Sequence, residues 1–400
     1  MDQIRRLWMI LVVIALLGLP AWSERSAASQ TDATPTAEPS LQVGDILVAA
    51  GSVARPSEAT MFRGNPARTG EQPGPGLDGS PTVRWRFETG DGVSSSPAVA
   101  GATVYVGSSD GALYAIDSAT GAERWRLQTD DEVTSSPAVA ADVVYVASGD
   151  GTLYSVGAET GEEVWRFSTG AALISSPAVA GGVVYVGGWD GNLYAIDAAT
   201  GEERWHFAAG AEIFSSPAVA DGLVYLAGLD GMLAAIDATT GTERWSTELA
   251  APMYASPAVV DERVFVGTSD GNLYGVDASE GTVLWRFTAE GRIASSPAVV
   301  GGVVYVGSDD GHLYGVASDD GEEAWRFAID AEVFSSPAVS ENVIYVGGLD
   351  GSVYAVDAGN GEERWRLELG GEIYSSPAVS DGIVYVGSLD GSLYAIGSEE

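Results

Sequence analysis

Residues 175–207 read SSPAVAGGVVYVGGWDGNLYAIDAATGEERWHF, and closely similar stretches recur along the chain at a step of forty residues. No insertion interrupts the step. The prolines of the repeat are Pro97, Pro137, Pro177, Pro217, Pro257, Pro297, Pro337 and Pro377. The tryptophans are Trp85, Trp125, Trp165, Trp205, Trp245, Trp285, Trp325 and Trp365. A period of this length that holds several short apolar runs is typical of a propeller blade.

Each repeat predicts four short strands. In the quoted stretch they cover residues 175–180, 183–186, 193–196 and 203–207, with an Asp-Gly hairpin signal between the second and third. The first strand is made of small residues, which fit the crowded axis of a ring. The fourth strand instead carries the bulky Trp205, whose side chain we expect to fill the gap to a neighbouring blade.

The two ends of the array predict how the ring closes. The first repeat element is a tryptophan strand at residues 83–87, and the last is a third strand at residues 393–396. If the first element completes the last blade, no open sheet edge remains between the ends. The sequence therefore predicts an all-β fold: an eight-bladed β-propeller of four-stranded blades over residues 59–400, its ring closed by the N-terminal strand.

The repeat also resembles a known family. Ser-Pro-Ala-Val, then Val-Tyr-Val-Gly-Ser-x-Asp-Gly-x-Leu-Tyr-Ala-Ile-Asp, then Thr-Gly-Glu-Glu-x-Trp is similar to the pyrroloquinoline-quinone-type (PQQ-like) propeller repeat. The lead-in Met61-Phe-Arg-Gly-Asn-Pro-Ala-Arg-Thr-Gly70 resembles segments that precede such arrays in envelope proteins. Members include quinoprotein alcohol dehydrogenases and the outer-membrane assembly lipoprotein that scaffolds barrel insertion. The resemblance implies the fold, and by itself it does not imply quinone binding.

The N-terminus predicts export. Arg5 and Arg6 precede an apolar stretch, so we interpret residues 1–23 as a signal peptide, or alternatively a short anchor, and residues 24–58 as a flexible linker. The expected location is periplasmic, or extracellular at the cell surface. The chain has no cysteine, so the lipid-modified cysteine of the assembly lipoprotein has no counterpart. Membrane attachment would then require that the N-terminal segment stays uncleaved.

Composition and motifs argue against several other functions. The formal charge of −37 repels nucleic acid, so no nucleic-acid partner is expected. Two Gly-x-Ser-x-Gly matches, at residues 107–111 and 267–271, fall in predicted strand-to-strand hairpins, whereas a hydrolase needs this motif in a strand-to-helix turn. With two histidines and no cysteine, a metal site is not expected either.

The quinone-dependent alternative has a specific difficulty. Quinoprotein dehydrogenases generally carry long insertions and commonly a vicinal cysteine pair beside the quinone, whereas this chain has uniform blades and no cysteine. We therefore expect no enzyme activity, no catalytic residue and no bound cofactor.

Function should appear where the blades differ from one another. The connections from the fourth strand to the next first strand, and the hairpins between second and third strands, are predicted to open on one face. Several positions there carry aromatic or aliphatic residues where other blades are polar or small. The candidate partner-binding residues are Trp189, Phe214, Leu229, Met232, Tyr254, Phe334, Leu349, Tyr374 and Leu389.

These residues have two interpretations. They could plug the top of the central channel, or they could form a protein-binding face with an acidic rim. We favour an exported, non-enzymatic propeller that binds or scaffolds another envelope protein. The alternatives are a PQQ-dependent dehydrogenase and a propeller that binds carbohydrate or a surface polymer.

Overall fold

A computed structural model describes residues 60–77, 79–329 and 331–398. Within these ranges the chain forms strands and turns and no helix, so no helix there could span a membrane. The predicted signal peptide and linker, residues 1–58, lie outside the described residues. The strands make eight antiparallel sheets of four strands each, which confirms the predicted eight blades.

We number the blades 1 to 8, so that blade 1 follows Pro97 and blade 8 follows Pro377. The first, innermost strands are Ala98–Ala100, Ala138–Ala140, Ala178–Ala180, Ala218–Ala220, Ala258–Val260, Ala298–Val300, Ala338–Ser340 and Ala378–Ser380. The second strands are Thr103–Gly107, Val143–Ala147, Val183–Gly187, Leu223–Ala227, Arg263–Gly267, Val303–Gly307, Val343–Gly347 and Ile383–Ser388.

The outer half of each blade follows the same order. The third strands are Ala112–Asp117, Thr152–Gly157, Asn192–Asp197, Met232–Asp237, Asn272–Asp277, His312–Ala317, Ser352–Asp357 and Ser392–Ser398. The fourth strands of blades 1 to 7 are Glu123–Gln128, Glu163–Ser168, Glu203–Ala208, Glu243–Glu248, Val283–Thr288, Glu323–Ala328 and Glu363–Glu368.

The fourth strand of blade 8 comes from the start of the array. Pro81–Glu88 pairs antiparallel with Ser392–Ser398, and Trp85 lies opposite Ala395. Phe87 of this strand also packs edge-on against Tyr114 of blade 1, with ring centroids 5.3 Å apart. The predicted closure of the ring is therefore confirmed.

A circle of hydrogen bonds joins the blades near the axis. The second serine of each Ser-Ser pair donates its backbone N–H to the hydroxyl of its equivalent in the next blade, at 2.9–3.0 Å in all eight blades. The last of these bonds runs from Ser376 to Ser96. Because these serines bond sideways to the next blade, the first strand begins at Ala178 and not, as predicted, at Ser175.

The hydrophobic core lies between neighbouring blades. Tyr145 and Trp165 of blade 2 pack with Tyr194 of blade 3, and the indole of Trp165 donates to the Ala198 carbonyl at 3.0 Å. Gly201 of blade 3 has φ +74, and a Cβ there would lie 2.7 Å from the Trp165 ring, so only glycine fits this loop position. The tryptophan fills the gap between blades, as predicted.

Candidate functional site

The hairpins and the strand connections that carry the candidate residues meet at one end of the propeller. In blade 3, Trp189 of the hairpin donates its N–H to the Ala172 carbonyl at 3.1 Å, and Ile213 donates to the Gly188 carbonyl at 3.2 Å. Each hairpin therefore sits between the connection that enters its own blade and the connection that enters the next. We call this end the mouth face. The turns between first and second strands, and the loops between third and fourth, lie on the opposite face.

The axial channel is occupied by the chain's own lead-in, residues 60–72. The N–H groups of Val219 and Val299, on innermost strands, donate to the carbonyls of Pro66 and Thr69 at 2.7 Å. Valines at the equivalent position of blades 2, 5 and 7 bond in the same way. The lead-in thereby satisfies edge N–H groups that the innermost strands would otherwise present to the channel.

Two arginines of the lead-in are buried at the axis. Arg63 donates to the Pro297 carbonyl at 2.5 Å and also to the Pro337 carbonyl, and Arg68 donates to the Pro217 carbonyl at 3.1 Å. Desolvation lowers the pKa of both guanidinium groups to about 9, and the charge of Arg68 contributes to the lowering at Arg63. Sequence reasoning did not anticipate this filled channel, because nothing in the lead-in marks which arginines are buried.

Around the mouth of the channel, four aromatic rings and one guanidinium form a crescent: Phe214, Tyr254, Arg292, Phe334 and Tyr374. Phe214 and Tyr254 meet edge-on with centroids 5.5 Å apart, and Phe334 and Tyr374 stack at 5.3 Å. The Arg292 guanidinium lies 5.5 Å from the Phe334 ring centroid. Arg292 of blade 6 therefore contacts one of the two aromatic pairs through a cation–π interaction.

Arg292 is held in place by a partly buried ion pair. Its Nε donates to the carboxylate of Asp309, whose other oxygen has no hydrogen-bond partner within the described residues. Burial raises the pKa of Asp309 although Arg292 acts in the opposite direction. Burial also raises the pKa of Tyr374 to about 12, and the charges of Glu372 and Glu332 add to that rise. The only sequence signal for this pair was the position of Arg292, where four other blades carry glutamate.

The candidate residues differ in exposure. Trp189 and Phe214 are each 37% exposed, and in the described part of the chain they are the only aromatic residues that reach this level. The half-buried candidates are Leu229, Met232, Tyr254, Phe334, Leu349, Tyr374 and Leu389. Exposed glutamates lie beside them at Glu212, Glu332 and Glu372. The mouth face thus combines exposed apolar surface with an acidic rim.

One of the candidates outside the crescent, Met232, lines a cleft. Met232 begins a third strand and lines a cleft of about 70 Å³ between blades 3 and 4, together with Phe207 and Asp230. A larger cleft of about 270 Å³ opens on the opposite face between blades 6 and 7, next to Tyr305 and Trp325. None of the candidate residues lines that larger cleft.

The two Gly-x-Ser-x-Gly motifs lie in hairpins, as the sequence predicts. Residues 107–111 and 267–271 form strand-to-strand hairpins, so Ser109 and Ser269 are not in a strand-to-helix turn. Across residues 60–77, 79–329 and 331–398, no group of three or more His, Asp or Glu side chains is arranged to hold a metal ion.

Fold and repeat together define the class: a β-propeller built from PQQ-type repeats. The chain belongs to the family described as outer membrane protein assembly factor BamB, whose profile matches residues 77–171, 149–255, 229–333 and 316–400. The four matches overlap because each spans more than two blades of the repeat. No curated protein sequence matches the chain.

Solved structures of two functional kinds share the fold. BamB from Moraxella catarrhalis superposes with a TM-score of 0.70 and 19% identity, covering 80% of this chain and all of that one. Europium-containing methanol dehydrogenase has a TM-score of 0.74 and 16% identity, covering 86% of this chain and 98% of that one. Quinohemoprotein alcohol dehydrogenase from Comamonas testosteroni also has a TM-score of 0.74 and 16% identity, with coverages of 87% and 82%. At these identities the likeness extends to the fold alone.

Proposed function

We propose that this chain is a non-enzymatic propeller of the cell envelope that holds another envelope protein on its mouth face. The observation that carries the proposal is the crescent, which includes the exposed ring of Phe214, together with the exposed ring of Trp189 on the same face. Clustered aromatics with a polar rim are the surfaces that protein interfaces use, and binding energy concentrates in a few aromatic anchors. The family description, an outer membrane protein assembly factor, supports the same class of function.

The electrostatics of the face favour a particular kind of partner. Its rim carries Glu212, Glu332 and Glu372, and the whole chain has a formal charge of −37. An anionic partner would be repelled, whereas a surface with apolar and basic residues would complement this face. We expect association to slow as salt is added, because steering between opposite charges is screened.

A quinone at the axis fits this chain poorly. The lead-in fills the channel at the level of the repeat prolines, and the terminal nitrogens of Arg63 together with Arg68 donate to backbone carbonyls there. A ligand on the axis would have to displace these residues and leave buried carbonyls unpaired, which costs free energy. This favours the binding function over a PQQ-dependent dehydrogenase.

The test is site-specific photocrosslinking in the native envelope, with the crosslinker at Leu229 on the mouth face. After the crosslinked partner is identified and purified, Trp189→Ala combined with Phe214→Ala should weaken its affinity by about tenfold or more, because two aromatic anchors are lost. The matched control is Thr200→Ala with Thr240→Ala, which alters loops on the opposite face. Equal affinity of the parent and both double variants would contradict the proposal.

The two alternatives give other outcomes. A quinone-dependent enzyme would show a quinone absorption band and dye reduction after PQQ and calcium are added to the purified chain. A polymer-binding propeller would be retained on cell-wall polysaccharide and released by the Trp189→Ala change, since exposed rings also stack on sugars. Either result would replace the proposed function.

A further inference from the structure

The repeat places a tyrosine in the middle of the third strand, and blade 4 lacks it. The seven tyrosines are Tyr114, Tyr154, Tyr194, Tyr274, Tyr314, Tyr354 and Tyr394. Blade 4 has Ala234 at this position. The exception matters because the tyrosine occupies the space between two blades.

The tyrosine has the same surroundings in most blades. Four of the seven rings pack on an aromatic ring from the fourth strand of the preceding blade, as in Phe167–Tyr194 at 5.5 Å and Phe287–Tyr314 at 5.2 Å. The tyrosine hydroxyl donates to the aspartate of the hairpin in its own blade, at 2.8 Å from Tyr314 to Asp310. Six of the seven tyrosines make this hydrogen bond. The repeat thus contains a built site for a phenol.

In blade 4 the walls of this site remain while the phenol is absent. Phe207 of blade 3 still points at Ala234, and both line the cleft already described. The cleft has a volume of about 70 Å³ and is open to solvent. Within the described residues, Asp230 accepts one hydrogen bond, from the Met232 N–H to Oδ1 at 3.0 Å, so Oδ2 lacks the donor that its equivalents have.

A second substitution in the same blade leaves the cleft uncovered. The fourth strand carries Arg or His beside the tyrosine in the other seven blades, and Arg166 lies 5.5 Å from the Tyr154 ring centroid. Blade 4 has Ser246 there, which is exposed and donates to Glu243 at 2.8 Å. Two independent departures from the repeat thus open the same space to solvent.

We propose that this cleft binds a tyrosine side chain of the partner protein. The partner's ring takes the place of the repeat tyrosine against Phe207, Leu226 and Met232, and its hydroxyl donates to Oδ2 of Asp230. Tyrosine is favoured over phenylalanine because covering Asp230 with a ring that has no donor would leave a desolvated carboxylate unpaired. This inference rests on the proposed function, since it requires a partner at this edge of the mouth face.

The cleft can be tested without the partner. The probe is p-cresol, the side-chain analogue of tyrosine, compared with toluene and with n-propylguanidine by ligand-observed NMR and titration calorimetry. The parent protein should bind p-cresol at least tenfold more tightly than toluene. Ala234→Tyr refills the cleft with the repeat's own residue, so the variant should fold with an unchanged or higher Tm and lose p-cresol binding.

A second variant keeps the test decisive if Ala234→Tyr does not fold. In Asp230→Asn, Oδ1 still accepts the Met232 N–H and the other atom becomes a donor, so the charge-assisted bond from the phenol is lost and the preference for p-cresol over toluene should fall. Equal binding of p-cresol by the parent and Ala234→Tyr would overturn the proposal. So would tighter binding of n-propylguanidine than of p-cresol, which would make the cleft an arginine site.

The partner experiment separates this inference from the proposed function. Trp189→Ala with Phe214→Ala should weaken partner binding and leave p-cresol binding intact, because neither residue lines the cleft. Ala234→Tyr should abolish p-cresol binding and weaken partner binding by about tenfold. Suppose that p-cresol binding changes as expected while the affinity for the partner is the same for all of these variants. The mouth face is then not the interface, and the proposal that the cleft binds a tyrosine of the partner fails as well. If only Ala234→Tyr leaves the partner unaffected, the proposed function stands and this inference fails.

Discussion

At the scale of single residues, each recurrent residue has a contact that explains its recurrence. The serine hydroxyls accept backbone N–H groups across blades, and seven of the eight tryptophan indoles donate to carbonyls of the next blade. Trp205 donates to the Ala238 carbonyl at 3.1 Å, and its ring centroid lies 5.8 Å from that of Tyr185. Trp189 has no counterpart at its position and is 37% exposed. Two tryptophans of one blade therefore have unlike roles.

Replacing each of these two tryptophans should show which one stabilises the fold by packing between blades and which one is a surface residue. Trp205→Ala removes a ring that bridges blades 3 and 4, and we expect a loss of about 3–5 kcal/mol in the free energy of unfolding. Trp189→Ala should change it by less than about 1 kcal/mol, because the side chain is exposed and lies in a turn. Urea denaturation of both variants measures the difference. A larger loss for Trp189→Ala would mean that the inter-blade packing has been assigned to the wrong tryptophan.

At the scale of elements, an ion pair between an aspartate and an arginine holds four of the loops between third and fourth strands. Asp197 accepts N–H groups of Ala199 and Thr200 at Oδ1, and its Oδ2 pairs with Arg204 at 2.6 Å. Side-chain hydrogen bonds from the paired arginines are the main reason that the pKa values of Asp117 and Asp197 fall to about 2. Equivalent Asp–Arg pairs hold the loops of blades 1, 4 and 7. The pairs are solvated, so each contributes little to the free energy of unfolding.

The Asp–Arg pairs in these loops should make the stability of the fold decrease at low pH. Because the folded pKa lies below the ordinary value near 4, the contribution is complete above about pH 4 and is lost as the pH falls through about 2. Asp117→Asn with Asp197→Asn should therefore lower Tm at pH 7 by a few degrees at most, and the gap from the parent should close by pH 2. The control is Glu159→Gln, in the blade 2 loop where Gly157 replaces the aspartate. A gap that stays constant between pH 7 and pH 2 would contradict the assignment.

The elements also show where sequence reasoning stops. The forty-residue period predicts the hairpins, the strand order and the interface between blades, because every blade repeats the same pattern. The first strand was predicted too long, because nothing local reveals that Ser176 bonds to Ser216 forty positions away. The aromatics of the crescent were anticipated as separate residues, whereas the contact between Arg292 and Phe334 depends on how blades 6 and 7 meet. Contacts between non-equivalent positions of different blades are not encoded in the repeat.

At the scale of the whole molecule, the ring closes with a strand and is filled with a lead-in from the same end of the chain. Closure by an N-terminal strand means that blade 8 has no loop between third and fourth strands. In the other inter-blade contacts the carbonyl that the indole meets lies at the start of this loop, as Ala358 does for Trp325. The indole nitrogen of Trp365, which faces blade 8, has no partner within the described residues. The unpaired donor marks the seam where the ring closes.

Truncation from the N-terminus should show how much the lead-in and the closing strand each contribute to thermal stability. A chain that starts at residue 59 keeps the lead-in and the closing strand, and its Tm should equal that of the full chain. Starting at residue 80 removes the buried lead-in with Arg63 and Arg68 while Pro81–Glu88 remains, so Tm should fall by several degrees as edge N–H groups of the innermost strands lose their acceptors. Starting at residue 89 also exposes the edge of Ser392–Ser398, and this chain should aggregate or melt lowest of the three. Thermal melts with light scattering rank the three chains, and equal Tm values for the chains that start at residues 59 and 89 would refute the closure by which the eighth blade is completed.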